Sequence, residues 1–176
     1  HHAFETMAEA CVKFNDIKYT KAMLAIAQGA GINGMVAGQV VDVISEGKDI
    51  DKDTLDYIHK NKTAAMIIGA LKAGAEMGGA SEEEIKNIER VGELVGVAFQ
   101  IQDDILDVTS TLEELGKPIN SDEKNHKVTY ATMFGVEDAS KIVMDMSNEA
   151  LEILHSMGEK MDFLARLTEY LIRRKN

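Results

Sequence analysis

The chain has 176 residues, 45% hydrophobic and 28% charged, which is enough for one domain with a sizeable core. A formal net charge of -11 argues against nucleic acid or an anionic membrane surface as the main partner. The lone Cys11 excludes an intrachain disulfide and makes a reducing cytoplasm the simplest setting. No uninterrupted apolar run of about 18 residues and no signal peptide is visible, so a soluble chain without stable membrane insertion is expected. One Pro, no Trp and long apolar segments favour an all-α fold, with the 14 Gly marking helix ends or close approaches of backbone.

In chain order, a first helix is expected from Phe4 to Phe14 and a second, unbroken, from Tyr19 to Glu46. Gly31, Gly34 and Gly38 recur along that second helix and would let a neighbour approach its backbone. Asp51 is a plausible N-cap for a third helix that runs to Met77 and stops at Gly78-Gly79. Ser81 to Glu84 reads as a capping box opening a long helix to Asp107 or slightly beyond, about 40 Å of rod. Periodicity stops between Ser110 and Lys127. Further helices are expected at Thr129–Phe134, Val136–Met157 and Lys160–Arg174, with Gly135 and Gly158 as C-caps between them.

The most informative stretch is Phe99-Gln100-Ile101-Gln102-Asp103-Asp104-Ile105-Leu106-Asp107, which sets three carboxylates in an apolar helical pattern. Asp103 and Asp107 stack one turn apart, Asp104 lies beside them, and Gln100 joins the same face. Like charges at that spacing repel, so a cation should balance them. Hard oxygen ligands with room for water suit Mg²⁺, which also binds substrate phosphates. A solvated acidic stripe is the bland alternative for such a motif alone.

Three further features bear on that choice. Gln39 and Asp42 sit three apart on a mostly apolar helix, Lys62-Thr63 opens the apolar run Ala64 to Leu71, and Lys117 and Lys127 flank the loop after the acidic helix. Singly, each has an ordinary explanation: a snorkelling lysine, an internal ion pair, solvated loop lysines. Together they supply metal-binding carboxylates and ammonium groups for phosphate oxygens, the set needed to stabilise a diphosphate leaving group. The five His lack metal-ligand spacing, and no P-loop, Gly-x-Ser-x-Gly elbow or base beside Cys11 supports another mechanism.

The ordered series Gly38-Gln39-x-x-Asp42, Lys62-Thr63, Phe99-Gln100-x-x-Asp103-Asp104-x-x-Asp107, Gly116-Lys117 and Ser121-Asp122 to Lys127-x-Thr129-Tyr130 resembles the trans-isoprenyl diphosphate synthases. Within that family it looks most like bacterial farnesyl or geranylgeranyl diphosphate synthases. The resemblance implies a helical bundle around a central cavity and condensation of an allylic diphosphate with isopentenyl diphosphate, most simply to farnesyl diphosphate. By the same resemblance Asp103, Asp104 and Asp107 would hold Mg²⁺ against the allylic diphosphate. Lys62, Lys117 and Lys127 would contact that diphosphate, Thr63 and Gln100 would line the reacting centre, and Phe99 would sit near isopentenyl diphosphate. Gln39 and Asp42 would line the cavity and orient other groups.

The family's first aspartate-rich motif is not in this sequence. The whole of 1–176 therefore resembles the C-terminal part of a single synthase domain, without the N-terminal helices. On that reading the polypeptide alone is expected to be inactive, and helices deprived of neighbours should leave an apolar face that drives homodimerisation or other self-association. Two other functions fit less well. A helical terpene cyclase would be expected to carry Asn, Ser and Glu at the second metal motif, and a non-catalytic scaffold subunit would have little use for the Asp and Lys positions.

Overall fold

The computed structural model describes residues 1–109 and 128–173, with the side chains described as far as residue 171. Among the described residues all regular structure is helical. The elements are α1 (His2–Phe14), α2 (Ile17–Ala30), α3 (Met35–Ile44), α4 (Lys52–Ile58), a π-helical turn (His59–Ala64), α5 (Ala65–Gly78) and α6 (Glu82–Thr109). After the undescribed segment come α7 (Tyr130–Phe134), α8 (Val136–Ser156), a short 3₁₀ turn (Glu159–Met161) and α9 (Asp162–Arg173).

Local chemistry explains most helix ends. Asp16 and Asp51 accept hydrogen bonds from Lys18 N and Thr54 N and so cap α2 and α4. The capping box before α6 forms as expected: Ser81 N donates to Glu84 Oε2 at 2.8 Å, and Glu84 N donates to Ser81 Oγ at 3.3 Å. Thr129 and Thr132 make a reciprocal box at the start of α7. Gly135, at φ 82°, ends α7 in a conformation that a side chain would strain.

The second expected helix is not continuous. Residues 31–34 form a turn that divides it into α2 and α3. Gly31 and Gly34 contribute little to helix persistence, and a Cβ on Gly34 would lie 2.3 Å from the Gly29 carbonyl oxygen. The stretch Ile17–Ile44 is apolar and long enough to cross a membrane by composition. The turn leaves pieces of 14 and 10 residues, about 21 and 15 Å long against a hydrocarbon core of about 30 Å.

Helix α6, 28 residues and about 42 Å long, is the axis of the bundle. Its first half packs Ile88, Val91 and Leu94 against Ala150 and Leu154 of α8 and Ala165 of α9. Its second half packs Val97, Ile101 and Ile105 with Leu55, Ala64 and Tyr130. Helices α1 to α3 are less covered, exposing Val12, Ile17, Leu24, Ile32, Val40 and Ile44. On α3 the usual pattern is inverted, because the valines Val36, Val40 and Val43 face out while Gly38 and Asp42 are buried.

Candidate active site

The π-helical turn His59–Ala64 carries both Lys62 and Thr63. Such turns are rare and recur at functional sites, since the extra residue re-aims side chains. Here two glycines grip it from opposite helices. A Cβ on Gly38 of α3 would lie 2.1 Å from Lys62 N, and a Cβ on Gly96 of α6 would lie 2.5 Å from the Ala64 Cα. Only glycine permits either approach.

That contact brings α3, the π turn and α6 together around one cavity. Asp42, Lys62, Thr63, Gln100 and His59 line it with the apolar side chains of Ile50, Leu55 and Ile58. Lys62 Nζ donates to Asp42 Oδ2 at 2.5 Å, where the aspartate side chain is almost fully buried and the lysine side chain is about one-third exposed. The internal pair weighed in the sequence is therefore present. Across the cavity Thr63 Oγ1 donates to Gln100 Oε1 at 2.9 Å. With its proton committed, the hydroxyl oxygen keeps its lone pairs for the cavity.

The acidic stretch behaves less uniformly than its spacing implies. Asp104 and Asp107 are buried, and Asp103 is partly exposed. Asp104 Oδ2 accepts the backbone N–H of Tyr130 at 3.3 Å and lies 3.5 Å from His59 Nε2. Among the described residues no three His, Cys, Asp or Glu side chains converge as a metal site. Of the three expected carboxylates, Asp104 is the one that faces His59 and Tyr130. Asp103 and Asp107 remain as hard oxygen donors one turn apart. Two carboxylates suit Mg²⁺, which keeps several waters and completes its shell with substrate phosphate.

Phe99 points elsewhere than its neighbour Gln100. It lines a separate crevice with Val95, Gln102, Val143, Ser147 and Thr168, on the side of α8 and α9, rather than the cavity of Thr63 and Gln100. One helical step from Gln100 turns it about 100° away. Gln39 is exposed and does not line the cavity, unlike Asp42. Lys117 and Lys127 lie outside the described residues.

Sequence reasoning gave no role to three participants: His59, Tyr130 and Asp56. The Tyr130 hydroxyl donates to Asp56 Oδ1, and Asp56 Oδ2 accepts from Lys52. Burial first, and then the Asp56 and Asp104 carboxylates, push the Tyr130 phenol well above its ordinary range, so it stays a donor. The available signal was His59 itself, a polar residue directly after the buried apolar Leu55 and Ile58.

Comparison with known proteins decides the family. Residues 2–169 match the polyprenyl synthetase family. This chain belongs to it. It is 38% identical over 176 residues to a chloroplastic geranylgeranyl pyrophosphate synthase of Catharanthus roseus, covering 99% of this chain and 49% of that protein. A geranylgeranyl diphosphate synthase of Cyanophora paradoxa is 35% identical over 99% of this chain and 59% of its own length. The fold superposes with a TM-score of 0.80 on a Helicobacter pylori geranyltransferase complexed with magnesium and isoprenyl diphosphate, at 27% identity, over 97% of this chain and 55% of that one. The chain thus spans about half the length of these relatives. The two curated relatives are named as geranylgeranyl diphosphate synthases.

Proposed function

We propose that the whole protein is a Mg²⁺-dependent prenyltransferase condensing an allylic diphosphate with isopentenyl diphosphate, and that its product is geranylgeranyl diphosphate. The observation that carries this reading is the match to the polyprenyl synthetase family across residues 2–169, over the same helices that carry the polar cavity. The geranylgeranyl assignment is supported by the names of the Catharanthus and Cyanophora relatives.

Asp103 and Asp107 would hold the metal, which neutralises charge on the diphosphate as it leaves. The chain's own residues do the rest. Lys62, braced by Asp42, directs its ammonium toward diphosphate oxygens, and Lys117 and Lys127 are proposed to join it. Thr63 and Gln100 present fixed oxygen dipoles to the allylic carbon as positive charge develops there. Ile50, Leu55 and Ile58 keep water from that carbon. The departed diphosphate is the base for the final proton. Phe99 is assigned to isopentenyl diphosphate binding by family resemblance.

Incubating the whole protein with Mg²⁺, an allylic diphosphate and labelled isopentenyl diphosphate tests the reading. A prenyl product longer by isopentenyl units, lost on chelation, is expected; no elongation under saturating metal overturns it. The 176-residue chain alone is expected to show no turnover. Its exposed apolar residues along α1 to α3 support self-association, measurable by light scattering. A relative at 35% identity is the large subunit of a heterodimeric geranylgeranyl pyrophosphate synthase of Arabidopsis thaliana, which makes a second, different subunit the other partner to seek. The proposed compartment is the cytoplasm, with the plastid as the second location to check by fractionation, since several relatives are chloroplastic.

A further inference from the structure

His59 is a buried polar residue that the proposed reaction leaves without a task. It opens the π-helical turn, three residues before Lys62 and four before Thr63. Its Nε2 lies 3.5 Å from Asp104 Oδ2, and its ring stacks on Tyr130 with centroids 5.4 Å apart. The same carboxylate oxygen accepts the Tyr130 backbone N–H, while the Tyr130 hydroxyl donates to Asp56 on α4. Tyr130 is therefore pinned at both ends, and His59 is wedged between it and α6.

We propose that His59 and Asp104 are positioning residues. Together they set the register of the π turn on α6, so that Lys62 and Thr63 point into the cavity, and Asp104 serves as an anchor rather than a metal ligand. The kinetic part of this inference rests on the prenyltransferase reading; the structural part does not.

A π turn is less favourable than the α-helix around it and persists where its surroundings over-determine it. The Gly38 and Gly96 contacts set how closely α3 and α6 approach the turn. The His59–Asp104 contact adds a directional polar tie between the start of the turn and α6, as Thr63 to Gln100 does near its end. Asp104 is 5% exposed, and a carboxylate so far from water requires polar partners. Two of those partners come from the elements that must be held in register, the π turn and α7. Asp103, one residue earlier and partly exposed, has a different outlook from the same helix.

The test compares His59→Phe, His59→Gln and Asp104→Asn in the whole protein. Phenylalanine keeps a ring against Tyr130 and removes the nitrogens; glutamine restores a nitrogen donor without the ring. Amide hydrogen exchange at residues 60–64 should rise about tenfold in His59→Phe and in Asp104→Asn, with residues 88–94 of α6 unchanged, and should return most of the way in His59→Gln. In steady-state assays His59→Phe should lower kcat about tenfold with KM for the allylic diphosphate within about twofold, a split that a general loss of folded protein does not produce. Asp104→Asn should leave the Mg²⁺ concentration for half-maximal activity within about twofold, where Asp103→Asn raises it about tenfold. Unchanged exchange in both His59→Phe and Asp104→Asn overturns the inference, as does an Asp104→Asn metal shift equal to that of Asp103→Asn. If the unmodified protein transfers no prenyl group, the functional reading falls, and the exchange measurements alone decide this one. Should His59→Phe fail to fold, Asp104→Asn provides the same exchange readout.

Discussion

The two halves of α6 share one helix and differ in what they bury. The first half hides Ile88, Val91 and Leu94 under α8 and α9, an arrangement that stabilises through apolar area alone. The second half buries Asp104 and Asp107 among Ile101, Ile105 and Leu106, where each carboxylate carries a desolvation cost that apolar residues would avoid. A fold under pressure for stability alone would carry the first pattern to the end of the rod. The contrast accords with the proposed site lying in the second half.

Four changes sharpen or break that contrast. The largest effect is expected at Asp107→Asn in the whole protein: prenyl transfer should fall about 10²–10³-fold while denaturation shows stability within about 1 kcal/mol of the parent. Equal losses of stability and activity would erase the distinction between the halves. At the other end of the helix system, Leu154→Ala removes a fully buried side chain from the apolar cluster and should cost about 2–5 kcal/mol in urea unfolding, with activity per folded molecule retained.

Gly38→Ala tests the contact that builds the cavity. Its Cβ would fall 2.1 Å from Lys62 N, so α3 and the π turn must separate. A loss of about 1–3 kcal/mol is expected, together with weaker diphosphate binding by calorimetry. A variant that binds normally would show the close approach to be dispensable.

The smallest effect lies in the structural half and depends on pH. Hydrogen bonding from Lys160 first, then from Ser81 at the helix start, holds the Glu84 carboxyl at about 2 against an ordinary 4.5. Because the folded value is depressed, the stabilisation is complete above about pH 4.5 and is lost as pH falls through about 2. Glu84→Gln should flatten the dependence of melting temperature on pH in that window. Added salt should shrink the parent's slope, since the carboxyl is exposed. Catalysis at neutral pH should not respond.

Much of this molecule was readable as a string. The box at Ser81 and Glu84, the cap at Asp51 and the stop at Gly79 depend on residues within four positions of one another. The long apolar period of α6 is equally local. What misled was also local: an unbroken period from Tyr19 to Glu46 concealed the turn at 31–34. Phe99 and Gln100 look like one unit in the sequence and face different clefts in space.

From its residues alone, the chain determines a helical bundle, where most helices begin and stop, and a rod bearing carboxylates toward its end, because hydrogen bonding and hydrophobic periodicity act over a few residues. Only the tertiary structure decides that Gly38 meets the Lys62 backbone 24 positions on, that Thr63 finds Gln100, and that Asp104 turns inward to His59 and Tyr130. Those pairings join groups distant in sequence, and their geometry is set by how closely whole helices pack, which no local pattern encodes.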